Sequence, residues 1–326
     1  MMFGAWGQTD GRAAIPILHA ALDAGINVVD TADVYSWGGS EEIIGKALAG
    51  RRDDVVLATK FHYPMDPGLG PGDEAPNRSG NSRRWIMRAI DNSLRRLGTD
   101  YIDLYQVHRP DPSTDVEETL SALSDLVRAG KVRAIGTSTF PAEQIVEAQW
   151  AAERRGLVRP RSEQPPYSIL NRAAEAAVLP TCQKYELGVM TWSPLSEGWL
   201  AGKYQGRIDM SGGRQRAHRD SFDLALPGNT AKREAVGRLT KLAAEAGCSL
   251  VHLALAFAAA HPAVTSVIIG PRTMEQLDDL LAAAAVRLGD DVLDRVDEIV
   301  PPGTTLNNTD MHHTPPALAD PRARRR

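Results

Sequence analysis

The sequence predicts an α/β fold, a (β/α)8 barrel of the TIM type with an incomplete first strand. Three observations predict it. Short β-branched runs alternate along the 326 residues with segments of helical period. Most links between them are short, which joins parallel strands through helices packed outside. Ionisable side chains stand at the C-terminal ends of several runs, the rim on which barrels build their sites. An open doubly wound sheet is the alternative, but no glycine-rich dinucleotide loop follows the first run.

The strands fall at 28–30, 55–60, 101–108, 132–138, 162–164, 188–194 and 264–270. After the first, Ser40 caps a helix that opens with Glu41 and Glu42. After Ser82, the apolar positions Ile86, Ile90, Leu94 and Leu97 share one helical face, and Gly98 ends the helix. The box Thr114-x-x-Glu117 opens a helix carrying Val116, Leu120, Leu123 and Val127, closed by Gly130. Two long loops, 62–84 rich in glycine and proline and 205–229, follow strand C-termini and read as functional lids or disordered segments. The chain is expected to form one barrel over 1–300 and a partly disordered tail over 301–326.

Composition narrows the function. The net charge of −4 implies no broad cationic face for nucleic acid, and hydrophobic residues at 43% supply a sizeable core. The longest apolar run, LVHLALAFAAA, is broken by His252 and is far short of a membrane span. No signal peptide is visible. The basic tail ADPRARRR reads as a solvated end. Cys182 and Cys248 match no metal or redox spacing and read as thiols of a cytoplasmic protein. No metal site is expected.

The chemistry lies at the strand ends. The first run ends on Asp30, with Tyr35 in the loop beyond it, the second on Lys60 and the third on His108. Each alone has an ordinary explanation as a turn former, a solvated cap or a locally satisfied ring. On one rim they form an acid, a phenol, an ammonium and an imidazole. Asp33 has no such role and reads as a loop residue.

Five separated segments carry a resemblance: GINVVDTADVYSWGGSEEIIGKAL, VVLATK, DYIDLYQVHRPD, GKVRAIGTSTF and VMTWSPLSEGWLAGKY. In order and spacing, from about Met2 to Leu280, the chain resembles the aldo-keto reductases. The resemblance implies a (β/α)8 barrel binding NADP(H), with NAD(H) second, and a small carbonyl compound as substrate. It implies the catalytic set Asp30, Tyr35, Lys60 and His108. Lys60 is expected to lower the phenol's pKa, Asp30 to hold Lys60, and His108 to orient the carbonyl.

By the same resemblance, Trp192 stacks on the nicotinamide, and Ser138, Thr139 and Gln164 meet its carboxamide. Ser193, Leu195 and Gly198 wrap the pyrophosphate through backbone N–H groups. Gly270, Arg272, Gln276 and Asp279 lie at the adenine end, where Thr273-x-x-Gln276 caps a helix and Arg272 suits a 2′-phosphate. Thr139 and Leu280 each stand where the family usually has asparagine. The substrate pocket is expected to use Trp6, Trp37, the 61–84 loop with Phe61, and Trp199.

The opening MMFGAWG begins within the family's first strand. Most of that strand and the family's N-terminal hairpin are missing, which leads to two expectations: the true start lies upstream, or the chain is a shortened variant with a gapped barrel or a homo-oligomer covering the gap and lowered stability. Two other functions fit some of the residues. A cofactor-sensing subunit would bind without turnover, and a Schiff-base aldolase would use Lys60.

Overall fold

A computed structural model describes all residues except 5–6, 8–10, 67, 70–74, 205, 207, 211–217, 315–317, 319, 324 and 326. Trp6 therefore lies outside the described residues. The chain divides into two compact units. The first comprises Met1–Gln164, Thr181–Met190 and Ile268–Ala282; the second comprises Pro165–Pro180, Thr191–Val267 and Ala283–Arg326.

Seven strands occur among the described residues: β1 Val28–Asp30, β2 Val56–Phe61, β3 Ile102–Val107, β4 Val132–Ser138, β5 Ser162–Gln164, β6 Gly188–Thr191 and β7 Ser266–Val267. All seven fall within the expected runs, except that β2 gains Phe61. An eighth strand is absent among the described residues; near the N-terminus only Phe3 forms a single bridge. Ten helices longer than a 3-10 turn accompany them among the described residues: α1 Gly11–Asp23, α2 Gly39–Ala47, α3 Arg83–Leu97, α4 Val116–Arg128, α5 Ala142–Arg155, α6 Val178–Lys184, α7 Pro227–Glu245, α8 Leu250–Ala260, α9 Met274–Ala282 and α10 Asp290–Ile299.

In the first unit β1 to β6 pair in sequence order, each pair parallel. Alternation along these strands separates two faces. On one face Val28, Ala58, Leu104, Ala134 and Met190 pack together as an apolar layer. Two residues further along each strand the same face becomes polar: Asp30, Lys60 and Gln106 follow Val28, Ala58 and Leu104, and Lys60 stands opposite Gln106. The opposite face carries Leu57, Phe61, Tyr105, Val107 and Ile135, all buried. Helix α3 ends as expected at Gly98, whose φ of 63° is the left-handed stop a glycine supplies.

Two caps differ from expectation. Asp115, not Thr114, caps α4, its carboxylate accepting from Glu117 N, because Thr114 Oγ1 instead donates to Asp111 at 2.8 Å. Gly38, not Ser40, precedes α2, and the buried Ser40 hydroxyl accepts from Thr31 at 3.0 Å.

In the second unit Trp199 is sealed in the core, 1% exposed, between Tyr204 and Phe222. The buried Lys232 of α7 donates to Asp310 Oδ2 at 2.8 Å and to Ser221 O at 2.9 Å. Asn171 Nδ2 donates to Asp310 O at 2.7 Å, and Arg172 N to Thr304 O at 2.8 Å. The stretch 304–310, expected in the loose tail, is thus fastened by buried polar groups. Helix α8, the longest apolar run, is a core helix. No single helix among the described residues is long and apolar enough to cross a membrane.

Candidate active site

The polar layer of the first unit forms the site. Lys60 Nζ donates to Asp30 Oδ2 at 2.6 Å and to Thr31 O at 2.7 Å. Asp30 Oδ1 accepts from Gln164 Nε2 at 2.9 Å and from Gln106 Nε2 at 3.3 Å. One carboxylate on β1 therefore gathers donors from β2, β3 and β5. Burial on its own disfavours the Lys60 ammonium. The Asp30 charge and the Tyr35 hydroxyl outweigh it and raise the pKa, so the amine stays charged.

Tyr35 sits just past β1 in a tight 3-10 turn, Tyr35–Gly38. Ser36 and Trp37 there adopt left-handed φ of 55° and 51°, an unusual conformation for side-chain-bearing residues. The turn folds the phenol back to Lys60, which hydrogen-bonds its hydroxyl, with Nζ 5.2 Å from the ring centre. Burial raises the phenol's pKa above its ordinary value, although the neighbouring Lys60 and Arg109 lower it. The lysine therefore acts in the expected direction but does not prevail: with the site closed to water, Tyr35 holds its proton.

His108 meets the Tyr35 ring edge-on, with centroids 5.6 Å apart. Burial first, then repulsion from Arg109 and Lys60, holds its pKa well below the usual imidazole range, so the ring is neutral. Its Nδ1 is buried with no hydrogen-bond partner among the described residues. That orphaned nitrogen and the Tyr35 hydroxyl fit a set that would receive a carbonyl oxygen.

Three neighbours were not named individually from the sequence, although Tyr63 lies in the loop expected to line the pocket. Tyr63, in the loop after β2, packs edge-on against His108 with centroids 5.0 Å apart. Together with Met65 it also covers the cluster Ala32, Val34 and Tyr35. Arg109 donates to Thr139 Oγ1 at 3.0 Å and lies 5.8 Å from the Tyr63 ring centre. Gln106 braces Asp30. A chain of bonds fixes the loop: His62 Nδ1 pairs with Asn81 Oδ1 at 2.9 Å, and Asn81 Nδ2 donates to Arg109 O at 3.0 Å.

The residues assigned to the cofactor are placed as follows. Ser138 Oγ donates to Gln164 O at 2.9 Å and lies 3.4 Å from Thr139 Oγ1. Thr139 itself has a left-handed φ of 61°. Beneath it Glu163, fully buried, accepts from Thr137 Oγ1 and from Phe140 N. Burial pushes the Glu163 carboxyl up to about 7, against these hydrogen bonds. At the end of β7's loop, Thr273 Oγ1 accepts from Gln276 N at 3.3 Å and Gln276 Oε1 accepts from Arg272 N at 2.9 Å. Thr273 thus caps α9 as the sequence predicts, while the return bond from Gln276 goes to the amide of Arg272 rather than of Thr273 and holds Gln276 beside Arg272. Gly270 and Asp279 flank it in the same unit.

In the second unit, Trp192 is held by backbone bonds to Pro165 and Tyr167, and its ring lies 4.7 Å from that of His312. The turn beyond it runs left-handed at Ser193, Ser196, Glu197 and Gly198, with φ of 58°, 45°, 56° and 103°. Within that turn the N–H groups of Ser196, Glu197 and Gly198 bond Ser193 O, Ser193 Oγ and Leu195 O. The Gly198 amide, expected to face the pyrophosphate, is thus committed within the turn.

The expected substrate residues divide. Trp37 is 37% exposed beside Tyr35. Phe61 is 0% exposed and packs on Tyr105 with centroids 4.8 Å apart, and Trp199 Nε1 donates to Ser221 O at 3.2 Å in a closed core. The structure thus places Phe61 and Trp199 in packing, and Tyr63 in the position beside His108.

The model of the aldo/keto reductase family matches residues 1–301. An uncharacterized oxidoreductase, YrpG of Bacillus subtilis (strain 168), is 40% identical over 309 residues, covering 92% of this chain and 90% of its own. A probable voltage-gated potassium channel subunit beta of Oryza sativa subsp. japonica is 37% identical over 317 residues, covering 92% of each chain. The aldo-keto reductase YhdN of Bacillus subtilis (strain 168) is 38% identical over 278 residues, covering 84% of this chain and 80% of its own.

Proposed function

Because the chain belongs to the aldo/keto reductase family, we propose that it is an NADPH-dependent oxidoreductase on a (β/α)8 barrel that interconverts carbonyl compounds and alcohols. The observation that carries this reading is the buried series Asp30, Lys60 and Tyr35, joined by hydrogen bonds, with the neutral His108 at its edge.

When bound, the nicotinamide supplies the hydride. The chain's own residues handle the proton and the oxygen. Tyr35 gives its proton to the carbonyl oxygen in reduction and takes it back in oxidation. Lys60 lowers the cost of the phenolate that forms, because a full positive charge already faces the phenol in a site of low dielectric. Asp30 keeps that charge in place. His108, being neutral, donates a hydrogen bond without adding charge. Ser138, Thr139 and Gln164 bind the carboxamide, and Arg272 binds the 2′-phosphate. Trp192, Ser193, Leu195 and Gly198 contact the cofactor from their own turn. Tyr63 and Trp37 border the substrate.

The test is NADPH oxidation with 4-nitrobenzaldehyde or 9,10-phenanthrenequinone. Turnover lost in Tyr35→Phe supports the reading, and unchanged turnover in that variant overturns it. A second reading comes from relatives named as potassium channel beta subunits. On it the chain is a cofactor-binding regulatory subunit, and NADPH quenches tryptophan fluorescence with no turnover over a broad carbonyl panel.

A further inference from the structure

Helix α3 turns one row of side chains toward the loop after β2. Trp85, Arg88 and Asn92 recur at steps of three and four residues, which stacks them along one side of the helix. Across from them stand Met65, Asp66, Ala75 and Arg78, and the two sides enclose a cleft of about 150 Å³. An apolar cavity of about that volume holds a benzene ring.

The cleft offers donors. Trp85 is 3% exposed, and its Nε1–H has no acceptor among the described residues. An indole N–H can only donate, and a buried donor left unpaired is unfavourable. Arg95 already donates to Asn92 Oδ1 at 3.0 Å, which leaves Asn92 its amide N–H groups. Arg78 and Arg88 are exposed at the rim and make no ion pair among the described residues. Elsewhere on α3 the guanidiniums of Arg83 and Arg96 each hold a carboxylate, Asp125 and Glu41. Asp66, the acid among the cleft's described residues, has Oδ1 occupied by Gly68 N at 3.0 Å. Among the described residues that line the cleft, two guanidiniums face one carboxylate. Met65, Ala75 and the Trp85 ring supply apolar walls.

We propose that this cleft is a second binding site, one that takes a small aromatic monocarboxylate. The planar guanidiniums of Arg78 and Arg88 suit a carboxylate, and Trp85 Nε1–H completes its hydrogen bonds. The ring lies against Met65 and Ala75. Asp66 disfavours a dianion such as phosphate. Met65 separates this site from the one at Tyr35, since it also packs on the Tyr35 cluster. The inference does not depend on the redox reading.

Calorimetric titration of the full chain with sodium benzoate tests it. One saturable site per chain is expected. Arg78→Ala and Arg88→Ala should each weaken binding about tenfold, the effect of losing one charge-assisted hydrogen bond. Both positions are exposed, so circular dichroism should be unchanged. Trp85→Phe should weaken binding while keeping an apolar wall. Acetate should bind less tightly than benzoate, and Tyr35→Phe should leave the affinity unchanged. No saturable binding to the native chain overturns the proposal. So does benzoate affinity that survives the double arginine variant, is lost in Tyr35→Phe, or is exceeded by inorganic phosphate.

Discussion

Lys60 Nζ lies 2.6 Å from Asp30 Oδ2, and the two side chains are 1% and 9% exposed. A buried ammonium so placed owes its charge to that carboxylate. Asp30 in turn is oriented by Gln106 and Gln164, so two amides fix the acid, the acid fixes the ammonium, and the ammonium faces the phenol.

Removing the carboxylate should therefore cost stability as well as activity. Asp30→Ala leaves a buried cation unpaired, which typically costs about 3–5 kcal/mol. Asp30→Asn retains shape and part of the hydrogen bonding and should lose less. Urea unfolding of both variants checks the order; equal stability of Asp30→Ala and the native chain would show that Lys60 has another partner.

Activity should depend on the phenol's oxygen. Tyr35→Phe and Lys60→Met should each lower kcat by about 10²–10⁴-fold, the usual worth of positioned acid–base catalysis. NADPH affinity measured by fluorescence should change little. His108 is held neutral, so the rate should show no inflection at the ordinary imidazole pKa, and a pH profile reads this directly.

Glu163 should make stability fall with rising pH. Its folded pKa of about 7 lies above the ordinary 4.5. Between those values the unfolded chain has released the proton while the folded chain retains it. The stability present below pH 4.5 is therefore lost progressively up to about pH 7, by at most about 3 kcal/mol. Glu163→Gln should flatten this slope, as thermal melts across the same range would reveal. An identical slope in the variant would place the effect elsewhere.

The two thiols should differ in reactivity. Cys182 is 0% exposed and its pKa is pushed up to about 12 by burial and then by Glu163. Cys248 is partly exposed. Titration with a disulfide reagent should modify Cys248 in the native protein and Cys182 only after denaturation.

Gly45 should tolerate no side chain. A Cβ there would lie 2.6 Å from Leu97 O and 2.8 Å from Arg96 O, both backbone atoms. Helix α2 would have to move away from α3. Gly45→Ala should destabilise by about 1–3 kcal/mol despite alanine's better helix propensity, and a denaturation curve measures it.

Much of this was legible because strand ends carry their own punctuation. Asp30, Lys60 and His108 each close or follow a β-branched run, and a parallel sheet brings such ends to one edge. Phe61 shows what a stricter use of the period would have added. It follows Lys60 by one residue, so alternation turns it to the opposite face, onto Tyr105. Trp199 gave no such signal, since a tryptophan in a turn reads alike whether it faces a ligand or a core.

Tyr63 and Arg109 were hidden for another reason. They sit in irregular segments where no period applies, and only the bonds between His62, Asn81 and Arg109 bring the two loops together. The sign of the Tyr35 shift was also beyond the sequence, because it depends on how completely the phenol is shut away from water.

The gathering of donors from three other strands around Asp30 has a consequence for inheritance. On the proposed function, the same atoms that face the phenol also clamp the alignment of β1, β2, β3 and β5, so drift in the sheet's register would be screened by catalysis, and loss of catalysis by folding. A descendant that abandoned the reaction would still be under pressure to retain this acid, and its presence alone is a poor guide to which relatives remain active.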